Sequence, residues 1–228
     1  MSEAPHPRRW SRNVALLLLS ATACGPAPDG TSGDVARGPE VRPSYVVRMD
    51  SESSDPAEFH LVEDDDGIRV QTGPAGIAYR PDDVVASGDM HIQATFRQYG
   101  ATPGYREAFG IFVGGIDLDG PDLEYTYLLV RTTGDYLVKR RIGAITETLA
   151  DWAPHPAVQR VTAEGDQPVN TLGIDVFGGQ VHFVVNGDVV HVEPAGRARP
   201  HGVAGVRVNH RLDVRVDRWL VQETAGSS

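Results

Sequence analysis

From Tyr45 to Val221 apolar and polar side chains alternate with a period of two, the repeat of a half-buried strand. Tyr45–Met49, Phe59–Val62, Ile68–Gln71, His91–Phe96, Ala108–Val113 and Tyr125–Thr132 all alternate or run β-branched. So do Tyr136–Ile142, Leu172–Phe177, Val181–Val185, Val189–Val192, Val203–Val208 and Leu212–Val221. Gly, Pro, Asn and Asp fill the gaps at the spacing of turns between short strands. No stretch outside the N-terminal segment offers three turns of an amphipathic helix. The pattern predicts an all-β, two-sheet antiparallel β-sandwich.

Two turns can be placed. Asn186-Gly187 suits the two positive-φ positions of a type I′ turn, which sets Val185 opposite Asp188. Regular pairing then puts Phe183 opposite Val190 and His182 directly across from His191. A second hairpin turns near Thr133-Gly134-Asp135. With a two- or four-residue loop, Tyr125, Tyr127, Leu129 and Arg131 share a face with Tyr136, Val138 and Arg140; a three-residue loop with a bulge breaks that arrangement.

The N-terminus differs in kind. Arg8, Arg9 and Arg12 precede the apolar run Val14–Leu19, which gives way to Ser20-Ala21-Thr22-Ala23-Cys24. Basic residues, a short apolar core and small residues before a cleavage point describe a secretory signal, and the core is shorter than the roughly 20 residues a membrane span needs. Ala21-Thr22-Ala23-Cys24 resembles the lipobox of bacterial lipoproteins, with Cys24 as the lipidated residue. A lone cysteine cannot close an intramolecular disulfide. The expected organisation is a signal over 1–23, Cys24 with a Gly- and Pro-rich linker to 43, a sandwich over 44–223 and a tail over 224–228. The expected location is extracytoplasmic, on the periplasmic face or the cell surface, held to the membrane by lipid. Formal charge is −10 for the whole chain, and loss of 1–23 leaves about −12. That balance argues against nucleic acid as a partner, because phosphate binding needs clustered positive charge.

Val176-Phe177-Gly178-Gly179-Gln180-Val181-His182-Phe183-Val184-Val185-Asn186-Gly187 resembles the strand–turn–strand pattern of concanavalin A-like and laminin-G-like domains. Gly202–Val208 and Leu212–Trp219 are similar to their closing strands. Phe109–Val113 through Tyr136–Arg140 is similar to bacterial jelly-roll domains related to 3-keto-disaccharide hydrolases. The resemblance spans residues 44–222. It implies two packed antiparallel sheets and, by analogy with relatives that bind glycans, a carbohydrate partner.

Candidate chemistry falls in three places. Asp117, Asp119 and Asp122 are spaced loosely like the carboxylates of jelly-roll glucanases, which resemble Glu-x-Asp-x-x-Glu on one strand, but Gly120-Pro121 interrupts the strand. With Glu124 they are also candidate oxygen ligands for Ca²⁺, although the run lacks the length and closing carboxylate of an EF-hand loop. A solvated acidic turn accounts for the same residues. His182 and His191, with His210 as a conceivable third, offer imidazoles for Zn²⁺, which needs three or four ligands. Tyr125, Tyr127, Arg131, Tyr136, Arg140 and Trp152 form the preferred ligand surface, with Trp152 on a rim loop: aromatic faces pack on sugar C–H groups and guanidinium donors reach hydroxyls. Trp219 is expected to anchor the core. No Gly-x-Ser-x-Gly elbow, phosphate loop or His-Glu-x-x-His motif is present. The expected function is therefore recognition, of carbohydrate. Two alternatives stay open: a hydrolase of glycosides or 3-keto-glycosides, and an envelope protein-interaction module.

Overall fold

The computed structural model describes residues 45–224. Residues 1–44, where the expected signal, Cys24 and the expected linker fall, and residues 225–228 lie outside the described residues. The chain runs β1 (Val46–Met49), β2 (Phe59–Asp64), β3 (Gly67–Thr72), β4 (Gly76–Val85), β5 (Asp89–Tyr99), β6 (Ala108–Ile116) and β7 (Glu124–Arg131). It continues through β8 (Asp135–Ile142), β9 (Ile145–Pro154), β10 (Val169–Phe177), β11 (Gln180–Val185), β12 (Asp188–Pro194), a single helical turn α1 (Ala195–Ala198), β13 (Gly202–Val208) and β14 (Asp213–Thr224). Two seven-stranded sheets result, ordered β1-β4-β13-β6-β7-β8-β9 and β12-β11-β10-β5-β14-β3-β2, with every pairing antiparallel. The sandwich expected from the alternation is what forms.

The period of two explains the layers. Along β5, Met90, Ile92, Ala94 and Phe96 are buried while His91, Gln93, Thr95 and Arg97 face outward. Phe109, Ile111 and Val113 of β6 meet them from the first sheet, and the rings of Phe96 and Phe109 stack at 5.3 Å. That interior joins the inner faces of both sheets, the oily half of each strand meeting the other across the gap. Trp219 packs against its margin, its indole N–H donating to Asp83 at 2.7 Å.

Two strands escaped the sequence pattern. β4 begins with four consecutive buried residues, Gly76 to Tyr79, so it shows no alternation, and Pro81-Asp82-Asp83 then reads as a turn. β9 is a polar edge strand whose pairing with β8 shifts twice.

Both hairpins form, each with a correction. Asn186 and Gly187 take φ of 51° and 92°, and Val185 sits opposite Asp188. A bulge beyond Val184 then slips the register, so Phe183 faces His191 and His182 faces Val192. Asn186 also knits the turn to its surroundings: Thr171 N–H donates to its Oδ1 at 2.8 Å, and its Nδ2 donates to Ala157 O at 2.7 Å and Asn170 Oδ1 at 2.9 Å. Asn186→Ala, which loses these bonds and the left-handed tolerance of Asn, is expected to destabilise the domain by about 2 kcal/mol in urea melts. The second hairpin has the three-residue loop Thr132-Thr133-Gly134, with Gly134 at φ 96° and Arg131 opposite Asp135.

Candidate functional site

The three-residue loop decides which side chains share the outer face of the first sheet. Tyr125, Tyr127, Leu129 and Arg131 lie there with Asp135, Leu137, Lys139 and Arg141 as cross-strand partners. Tyr136 and Arg140 fall on the opposite face. Arg140 instead donates to Glu124 at 2.9 and 2.6 Å, joining an ion-pair group with Glu147, Arg197 and Glu193 at one end of the sandwich. The ligand surface expected from sequence is thus divided between two faces.

What remains on the outer face is built in rows. Across the sheet one row reads Arg48, Ile77, Arg207, Gly110, Leu129, Leu137, and the next reads Val46, Tyr79, Gly205, Phe112, Tyr127, Lys139, Thr148. The glycines leave room for their large neighbours: a Cβ on Gly205 would come within 2.5 Å of the Phe112 ring. Tyr79, Phe112, Tyr125 and Tyr127 form a chain of rings with centroids 6.4, 5.1 and 5.6 Å apart. With Ile77, Leu118, Leu123, Leu129 and Leu137 they make a second apolar cluster, outside the sandwich interior.

Arg207 stands in this floor, 8% exposed. Its Nη1 and Nη2 donate to Asp50 at 2.8 and 2.5 Å, its Nη1 also donates to the Tyr125 hydroxyl at 2.9 Å, and its guanidinium lies 5.2 Å over the Tyr127 ring. Arg141 Nη1 donates to the same Asp50 carboxylate at 2.7 Å. Burial works to raise the Asp50 pKa, but the hydrogen bonds and charges of Arg207 and Arg141 outweigh it and hold the carboxyl below its ordinary range. Burial pushes the Tyr127 hydroxyl up, so the phenol stays neutral. At the other side of the face, Arg131 lies 4.2 Å over Trp152 and donates to Asp135 at 3.0 Å. Trp152 is a residue of β9, half-buried on this face, rather than a rim-loop residue.

Exposure reassigns the roles within the aromatic set. Tyr125 and Tyr127 are 1% and 5% exposed and serve as floor. Trp152, Lys139, Arg141 and Asp50 remain partly open above it. Sequence reasoning missed Asp50, Arg141 and Arg207. For Arg207 a signal existed: a lone arginine among Val203-Ala204-Gly205-Val206-Val208 places a charge in a strand otherwise fit for the interior. Asp50 follows a strand end and carried none.

The acidic run is a cap on the same face. Asp117 takes φ 50° and folds its carboxylate against Gly120, while Leu118 and Leu123 bury their side chains in the aromatic cluster. Arg48 donates to the carbonyls of Leu118 and Gly120 at 2.7 Å each, and the Tyr79 hydroxyl donates to Asp119 at 2.7 Å. Asp122 is exposed and Glu124 is held by Arg140, so these carboxylates do not share one strand or converge on one point. Among the described residues no group of three or more His, Cys, Asp or Glu side chains is placed to hold a metal ion. The histidines also separate: His182 stacks on Phe177 at 4.2 Å, His191 bonds Glu193 at 3.1 Å and His210 pairs with Glu107.

No family model and no curated protein matches this chain. Solved structures do. A carbohydrate-binding module of Bacillus subtilis, CBM66, superposes with a TM-score of 0.52 at 8% identity, covering 79% of this chain and 96% of that one. The Emp47p carbohydrate recognition domain gives 0.54 at 10% identity, over 82% and 91% of the two chains. A Bacteroides ovatus mixed-linkage glucan GH16 protein in complex with its product gives 0.51 at 10% identity, over 78% and 94%. At such identities the likeness establishes architecture alone. The domain has the jelly-roll-like β-sandwich fold of these structures, two antiparallel sheets of seven strands each.

Proposed function

We propose that the domain is a carbohydrate-recognition module whose ligand lies across Trp152, Lys139, Arg141 and Asp50 on the outer face of the first sheet. The observation that carries this reading is the clamp of Arg207 and Arg141 on Asp50 above a rigid aromatic floor. It presents fixed acceptors and donors to hydroxyls on the same face as a partly exposed indole, the pairing of apolar face and polar edge that a sugar ring needs. The fold, shared with a carbohydrate-binding module and a carbohydrate recognition domain, supports it.

Recognition fits this face better than glycoside hydrolysis. A general acid must hold its proton near neutral pH, which requires a raised pKa, and Asp50 is shifted the other way by its two arginines. Asp119 is committed to the Tyr79 hydroxyl. In the same reading, the Arg8–Cys24 signature sets the module outside the cytoplasm on a lipid tether, close to envelope or environmental glycans.

Glycan-array screening of the full-length chain, followed by calorimetry on the best neutral oligosaccharide, tests this. Trp152→Ala is expected to weaken binding at least tenfold, about 1.4 kcal/mol. Unchanged affinity in Trp152→Ala would overturn the assignment of the face. Turnover of a glycoside or 3-keto-glycoside, abolished by Asp119→Asn, would replace recognition with hydrolysis.

A further inference from the structure

The outer face of the second sheet carries a feature independent of the aromatic face. Arg69 on β3, Arg215 on β14 and Arg97 on β5 are directly opposed, three arginines in one cross-strand row. Like charges so placed repel and destabilise a sheet unless something neutralises them. Asp213 takes Arg69 at 2.8 and 2.7 Å, and Asp64 and Asp217 take Arg215, the latter at 2.6 Å. Among the described residues Arg97 makes no ion pair, and neither does Arg218, which a bulge in β14 holds at φ 55°. Both line a groove of about 420 Å³ together with Tyr99, Arg215, Asp66 and Asp217. A chain of charge −10 has therefore gathered two guanidinium groups without ion pairs, Arg97 and Arg218, beside a tyrosine in a groove that also holds the paired Arg215 and the carboxylates of Asp66 and Asp217.

We propose that this groove is a second binding site, specific for a carboxylate-bearing saccharide such as a uronic acid oligomer. Arg97 and Arg218 bind the carboxylate through their paired N–H donors, which match its two oxygens. Arg69 lies 4.9 Å over one face of the Tyr99 ring, so Tyr99 offers its other face to the sugar C–H groups, and Asp66 and Asp217 accept from the hydroxyls. The site rests on the carbohydrate reading for the sugar scaffold only; the preference for an acid comes from the unpaired arginines.

The test is calorimetry on the full-length chain with a galacturonic acid hexamer and with neutral cellohexaose. The acidic hexamer is expected to bind at least tenfold tighter, and more weakly in 0.5 M than in 0.05 M NaCl because screening weakens exposed charge pairs. Arg97→Gln and Arg218→Gln should each reduce its affinity several-fold with an unchanged melting temperature, and Trp152→Ala should leave it intact. Equal affinity for the two hexamers, no binding of the acidic one, or its loss in Trp152→Ala with retention in Arg97→Gln would overturn the second site. If neutral glycans fail everywhere while the acidic hexamer still binds through Arg97 and Arg218, the aromatic-face proposal falls and this one stands.

Discussion

Asp50→Ala is expected to cost the folded domain about 3 kcal/mol, the lower end of the range for breaking a buried ion pair, because the carboxylate keeps some exposure. The loss is large because it leaves Arg207 charged, 8% exposed and without its carboxylate, in a floor of aromatic rings. Urea melts should show the midpoint falling with little change in slope. Asp50→Ala combined with Arg207→Met should recover part of the loss, since an apolar side chain of similar length removes the stranded charge. Acid provides a second readout. The folded-state pKa of Asp50 lies below that of the unfolded chain, so its contribution is complete above about pH 4 and is lost as pH falls through the folded value. Asp50→Asn should therefore lose less stability than the parent over that window. An Asp50→Ala midpoint within error of the parent would show that the clamp is ornamental.

Phe112→Ala should be comparably severe, about 3 to 5 kcal/mol. Phe112 is fully buried although it points away from the sandwich interior, wedged against Tyr79 and Tyr125 beneath the Leu118–Leu123 cap. Its removal opens a void under the rings that position Arg207, so neutral-glycan affinity should fall along with stability. Phe96→Ala, on the inner face, should match it in stability while leaving affinity per folded molecule near the parent value. Calorimetry at a temperature where both variants are folded separates the two effects. Equal loss of affinity in the two variants would argue against a specific link between the aromatic floor and the ligand.

How much of this was legible in the sequence depended on how locally each feature is encoded. Alternation in β3, β5 and β11 carries its own burial pattern, so those strands and the sandwich could be read directly. β4 could not, because Pro81-Asp82-Asp83 reads as a turn after only four residues, and those four do not alternate, being buried on one side in the interior and on the other in the aromatic cluster. Registers were readable only as far as the turns: Asn186-Gly187 fixed Val185 against Asp188, yet one extra residue beyond Val184 separated His182 from His191. The candidate site suffered most. Tyr127 and Arg131 were found because they alternate on one strand, and the three-residue loop then removed Tyr136 and Arg140 from their company. Asp50 meets Arg207 across 157 positions of sequence, a pairing that sheet order creates and no local pattern announces.

The most direct test of the central claim is to map amide and indole N–H chemical shifts of the full-length chain during titration with its best neutral oligosaccharide. Perturbations are expected to centre on Trp152, Lys139, Arg141 and Asp50 and to fade over the second sheet. Perturbations confined to the β2 or β12 edge, or centred on the acidic cap without Trp152, would contradict that claim.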